Sequence, residues 1–157
     1  MTVAATAASG TGWSRYVLLW VRMAFGSHSL ISGFNNFVPI FDIGGGGDPA
    51  LSPIGPFMGQ LIASGLYDVV KLVEMAVGIC LLLGRFVPLA ALAELPISLV
   101  IAWLCFFVDG SPNIVFSGAR EIGFNLIILA FYGRHFLPLL DSKLPVRPIW
   151  EWRSSTP

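Results

Sequence analysis

An all-α, integral membrane fold is predicted by three features of the sequence. Of 157 residues, 55% are hydrophobic and only 11% are charged, whereas a soluble domain carries about 25% charged residues. The mean hydropathy is +0.79. Four apolar stretches each reach the length of about 20 residues that a helix needs to cross a bilayer, and turn chemistry separates them. Within these stretches the few polar residues recur at helical spacing, which points to an antiparallel four-helix bundle with a polar seam.

The four stretches run roughly Tyr16–Asn36, Phe57–Leu83, Val87–Val108 and Ala119–Leu137. A polar N-terminal segment, residues 1–14, precedes the helical domain of residues 15–142, and a tail of residues 143–157 follows it. The opening residues are small and polar without a basic region, so the first helix is expected to be retained and not cleaved as a signal peptide. "FDIGGGGDPALSPIGP" reads as a loop, Gly84-Arg85 as a tight connection, and "DGSPN" at Asp109–Asn113 as a turn.

Charge gives the orientation. Arg15, Arg85, Arg134, Lys143, Arg147 and Arg153 all fall on the side that holds both termini, which predicts that both are cytoplasmic and that the chain is a multi-pass protein of the cell's inner (plasma) membrane. The tail "LPVRPIWEWR" has two tryptophans with basic flanks and suits an interfacial anchor. Formal charge is zero, from nine basic and nine acidic residues, and no basic run could track phosphates. The expected partners are the lipid bilayer and other membrane subunits, not nucleic acid.

Helical rise of about 1.5 Å per residue sorts the ionisable residues by depth. Arg22, Glu74, Glu94 and Asn125 fall about 10–16 Å from the inner basic anchors, in one layer drawn from four helices. His28, Lys71, Arg120 and Glu121 fall at about 20 Å and Asp68 near 25 Å. Asp68, Lys71 and Glu74 share one broad face, so all three are expected to turn inward, with Lys71 in reach of either carboxylate. Three more stripes repeat the pattern: Arg22, Gly26, Ser29 and Gly33; Ala90, Glu94, Ser98 and Ala102; and Glu121, Asn125 and Tyr132.

The inner layer sets one Arg against two Glu, so Glu74 or Glu94 is expected to hold a proton at neutral pH. Cys80 and Cys105 lie at different depths and are expected to remain unpaired. His28 and His135 sit at opposite ends, which argues against one haem held between them. No metal-ligand spacing is present in the sequence.

Three segments resemble the DoxX-like family of membrane proteins: "VEMAVGICLLLGRFVPLAAL" (Val73–Leu92), "RMAFGSHSLISGFNNF" (Arg22–Phe37) and "FNLIILAFYGRHFLPLLD" (Phe124–Asp141). Arg22, Glu74, Gly78, Gly84 and Arg85 match motif positions. The resemblance implies four membrane helices and, in some relatives, a role as the membrane subunit of a quinone-linked oxidoreductase or of a stress-defence complex. This chain departs from the pattern in having Asn35 and Asn36 where relatives end the first helix with Lys, and in its longer glycine-rich loop. The expected function is that of an accessory or structural subunit of a larger membrane complex. The alternatives are a quinone-interacting subunit that uses the Arg/Glu seam, and a small transporter or channel formed on oligomerisation. No intrinsic cofactor is expected, so electrons would be carried by a quinone, another lipophilic ligand or a partner.

Overall fold

A computed structural model describes residues 12–40 and 52–137. Every regular element among them is helical: α1 (Gly12–Phe37), α2 (Gly55–Ala63), α3 (Leu66–Leu83), α4 (Val87–Trp103), α5 (Pro112–Phe131) and the short α6 (Gly133–Phe136). A π-helical turn, Leu104–Asp109, extends α4. By length and apolarity three segments among the described residues could cross a membrane: Gly12–Phe37, Val87–Asp109 and Pro112–Phe131. The 18-residue α3 is long enough but carries Asp68, Lys71 and Glu74. The glycine-rich loop at 41–51 and the tryptophan-bearing tail lie outside the described residues.

Local chemistry sets the helix ends. The stretch expected as one helix over Phe57–Leu83 is two, because Gly65 adopts a left-handed conformation (φ 74°) that ends α2 and redirects the chain into α3. Ser64 secures the break by donating its hydroxyl to the Leu61 carbonyl at 2.9 Å. The fourth apolar helix begins at Pro112, seven residues before the expected Ala119. Proline at the first helical position has no N–H to leave unsatisfied, and the Asp109 side chain accepts from the Ser111 N–H just upstream at 3.1 Å. Its end is also earlier, at Phe131 instead of Leu137.

At the α3–α4 junction Gly84 is left-handed (φ 70°). The Gly84 N–H reaches the Leu81 carbonyl at 3.3 Å and the Arg85 N–H reaches Cys80 at 3.1 Å, the paired bonds of a Schellman motif. The tight connection expected at Gly84-Arg85 is therefore built from a helix cap.

The long helices pack α1 on α3, α3 on α4, α4 on α5 and α5 on α1. Glycines set the first contact. A Cβ on Gly78 of α3 would lie 2.6 Å from the Leu30 nitrogen and 2.8 Å from the Gly26 oxygen. One on Gly33 of α1 would lie 2.6 Å from the Lys71 carbonyl oxygen. The backbones therefore touch along an antiparallel line, residue 26 beside 78 and residue 33 beside 71. Gly118 does the same on α5, where a Cβ would lie 2.6 Å from the Cys105 Cβ.

An apolar core of Val21, Phe25, Val77, Leu81, Val87, Ala90, Ala91 and Ile128 fills the end near Gly84. Further along, buried positions turn polar: Ser29, Lys71, Glu74, Glu94, Ser98, Glu121 and Asn125. Large apolar side chains such as Trp20, Leu89, Trp103, Phe107 and Phe116 lie on the outside. Cys80 and Cys105 are both free thiols.

The glycine contact generates a direct prediction. Gly78→Ala should destabilise the protein by about 1–3 kcal/mol through overpacking. Gly123→Ala, where nothing lies within 4 Å of the new Cβ, should be neutral or stabilise by about 0.5–1 kcal/mol. Unfolding in mixed micelles measures both, and equal shifts would contradict the close approach.

Candidate functional site: a buried polar layer beside an apolar slot

The sequence-predicted residues separate into a buried group and a peripheral one. Lys71, Glu74, Glu94, Glu121 and Asn125 are buried, Arg22 and Arg120 are half-buried, and His28 and Asp68 are exposed. Asp68 does not turn inward with its neighbours. It lies at the start of α3 and accepts from the Asn36 amide at 3.0 Å, joining that end of α3 to the end of α1.

Lys71 forms the strongest polar contact. Its Nζ donates to Glu74 Oε2 at 2.7 Å and to Ser32 Oγ at 2.8 Å. The Tyr67 ring lies 5.1 Å from the same nitrogen, within cation–π range. Residues three apart on a helix share a face, so α3 supplies the pair by itself, and the Gly33 contact brings Ser32 up to it.

A second contact joins α1 to α5, where His28 Nε2 lies 3.5 Å from Glu121 Oε2. A third joins α5 to α4, where the Asn125 amide donates to Ser98 Oγ at 3.2 Å. Glu94 has no such partner. Both of its oxygens and the Asn125 carbonyl oxygen are buried without a hydrogen bond.

Arg22 does not join the carboxylates. Its guanidinium rests on the left-handed Gly84, where a Cβ would stand 3.1 Å from Nη1. A cation at the C-terminal end of α3 complements the helix dipole there. The layer expected to combine Arg22, Glu74, Glu94 and Asn125 is thus divided, with Arg22 at the end of α3 and Glu74 bound to Lys71.

Beside Lys71 and Glu74 an apolar slot of about 400 Å3 opens between α2, α3 and α4. Phe57 and Leu61 of α2, Tyr67 of α3, and Ile97 and Ile101 of α4 line it, and Lys71 and Glu74 form its polar wall. Pro96 also faces the slot. Three of these features had no counterpart in the expected site: the α2 wall, which exists because the chain breaks at Gly65; Tyr67 under the ammonium; and Ser32 as its acceptor. The Ser64-Gly65 dipeptide was the available signal for the first.

Among the described residues no group of three His, Cys, Asp or Glu side chains could hold a metal ion. No protein-family model, curated protein or solved structure matches this chain.

The buried pair predicts strongly non-additive substitutions. Lys71→Met alone leaves the Glu74 carboxylate buried without its cation and should cost about 3–5 kcal/mol. Adding Glu74→Gln to Lys71→Met should recover most of that loss, since the unpaired charge is gone. A double-mutant cycle by reversible unfolding reads this, and additive losses would mean that the pair carries no coupling.

Proposed function

We propose that the chain is a DoxX-like, multi-pass protein of the cell's inner membrane. It forms an antiparallel four-helix bundle with both termini cytoplasmic, and serves as a subunit of a larger membrane assembly. Its own contribution is to hold a lipophilic ligand with a carbonyl head, of the quinone type, in the slot between α2, α3 and α4.

Inverted polarity supports the membrane setting. Lys71, Glu74, Glu94 and Glu121 are interior while Trp103, Phe107 and Phe116 face outward, the reverse of a water-soluble domain. Arg22 against Gly84 puts the N-terminal half of α1 at the same end as Arg85, consistent with a basic cytoplasmic side. The opposite end has Asp68 and Asp109, and no Lys or Arg occurs in the first outer loop.

The ligand class rests on one observation, the polar wall of an otherwise apolar cavity. Binding sites for small molecules are apolar recesses with a few placed polar groups. An ammonium has three donors, and Lys71 uses two of them on Glu74 and Ser32. The third can meet an acceptor in the slot. Glu74 already balances the ammonium charge, which favours a neutral carbonyl over an anionic head. A chain-like apolar tail suits the aromatic and aliphatic walls.

The test is extraction from the native membrane in mild detergent, with mass spectrometry of co-purifying lipids and subunits. A carbonyl-bearing isoprenoid or acyl lipid should be recovered near one per chain. Ile97→Trp, which fills the slot, should reduce that recovery at least tenfold without loss of the folded protein. Equal recovery from both forms, or none above the detergent blank, would contradict the assignment.

A further inference from the structure

Three buried acceptor oxygens, two on Glu94 and one on Asn125, make no hydrogen bond, and the buried Nε of Arg22 is likewise without a partner. Glu94, Ser98 and Asn125 are each fully buried, at 0% exposure. Ser98 lies one helical turn beyond Glu94 on the same face of α4 and accepts from the Asn125 amide at 3.2 Å, so the three occupy neighbouring buried positions where α4 packs on α5. The serine hydroxyl supplies a fourth oxygen. Buried polar atoms without partners in a folded protein call for a missing water or ion.

Charge decides between those two. The neighbouring helices bring Lys71 and Glu74 from α3, and Arg120 and Glu121 from α5; α1 adds Arg22 and His28. Glu74 is matched by Lys71 at 2.7 Å, and Glu121 faces His28 at 3.5 Å, which balances it only when the imidazole is protonated. Arg22 lies against Gly84 and forms no ion pair with Glu94, and among the described residues no cation lies within 4.0 Å of Glu94. A water molecule could donate to the oxygens, but it would leave the buried Glu94 carboxylate without a counter-charge at its side.

We infer that the Glu94–Ser98–Asn125 nest is a site for one small monovalent cation, a proton or Na+. Carboxylate, amide and hydroxyl oxygens are hard donors suited to either and unsuited to a soft metal. The site is separate from the apolar slot, whose lining does not include Glu94, so failure of the slot assignment leaves it intact.

Purified protein in detergent is the material for the test, in choline buffer with Na+ or K+ added at equal ionic strength. Two readouts are taken: the unfolding midpoint, and the infrared signal of neutral carboxylic acid in protein labelled with 13C-glutamate. A Na+-specific rise in midpoint that is lost in Glu94→Gln and weakened in Ser98→Ala identifies Na+ as the occupant. A neutral-acid band at pH 7 that disappears in Glu94→Gln, with no response to Na+, identifies a proton. Should Glu94→Gln fail to fold, the wild-type titration and the Ser98→Ala comparison still decide, because Ser98→Ala keeps the carboxyl but should shift the band or the Na+ midpoint. An ionised carboxylate with no Na+ response leaves only water in the nest and overturns the inference.

Discussion

The Lys71–Glu74 pair constrains everything packed around it. An ammonium and a carboxylate with 8% and 5% exposure cannot be left without partners, since each unpaired ion costs several kcal/mol even after relaxation. The pair satisfies part of that demand from within α3. The rest comes from Ser32, and Ser32 arrives only because Gly33 and Gly78 let α1 and α3 touch backbone to backbone. A side chain at either glycine would separate the helices and strand the ammonium. The small residues and the charges are therefore one device: close approach gives van der Waals contact along the helices and a hydrogen-bond acceptor at the point of highest electrostatic demand.

The same division organises the rest of the interior. Near Gly84 the helices meet through Val, Leu, Phe and Ala, and farther along they meet through Lys, Glu, Asn and Ser. The apolar end needs only dispersion and shape. The polar end needs directional partners, which fix how the helices align. The slot is a by-product of a backbone event. Because Gly65 turns the chain, α2 forms a separate wall, and the space between it, α3 and α4 has the Lys71–Glu74 pair at its side. Glu94 and Ser98 of α4 and Asn125 of α5 are buried outside the lining of that slot.

Periodicity carried most of what the sequence could reveal. Ala90, Glu94, Ser98 and Ala102 recur every four residues, and they are the buried face of α4. Gly26, Ser29 and Gly33 are likewise buried on α1. Depth counted from basic anchors served less well, because it ranks residues along an axis without saying which way a side chain leans. It grouped Arg22 with the carboxylates, whereas the long guanidinium arm reaches back to Gly84. The shared helical face turned Asp68 inward with Lys71 and Glu74, although a residue in the first turn of α3 can instead meet Asn36 at the helix end. The break at Ser64-Gly65 was concealed by apolar residues on both sides, and Pro112 was taken into the turn although proline suits a first helical position. The Tyr67–Lys71 contact and the Ser32 acceptor depend on side-chain geometry that no one-dimensional pattern contains.

With three charged residues in 18, α3 is the helix on which the proposed four-helix membrane setting turns, since the other three segments are more apolar. Spin labels at single cysteines answer this directly, with Cys80 and Cys105 replaced and the protein in liposomes. Labels at Leu72 and Ile79, both on the outward face, should be accessible to oxygen and shielded from a water-soluble nickel chelate, while a label at Val77, 3% exposed, should be accessible to neither. Nickel accessibility at Leu72 and Ile79 equal to that of a label on Ser111 would place α3 in water, and would contradict the four-helix membrane assignment.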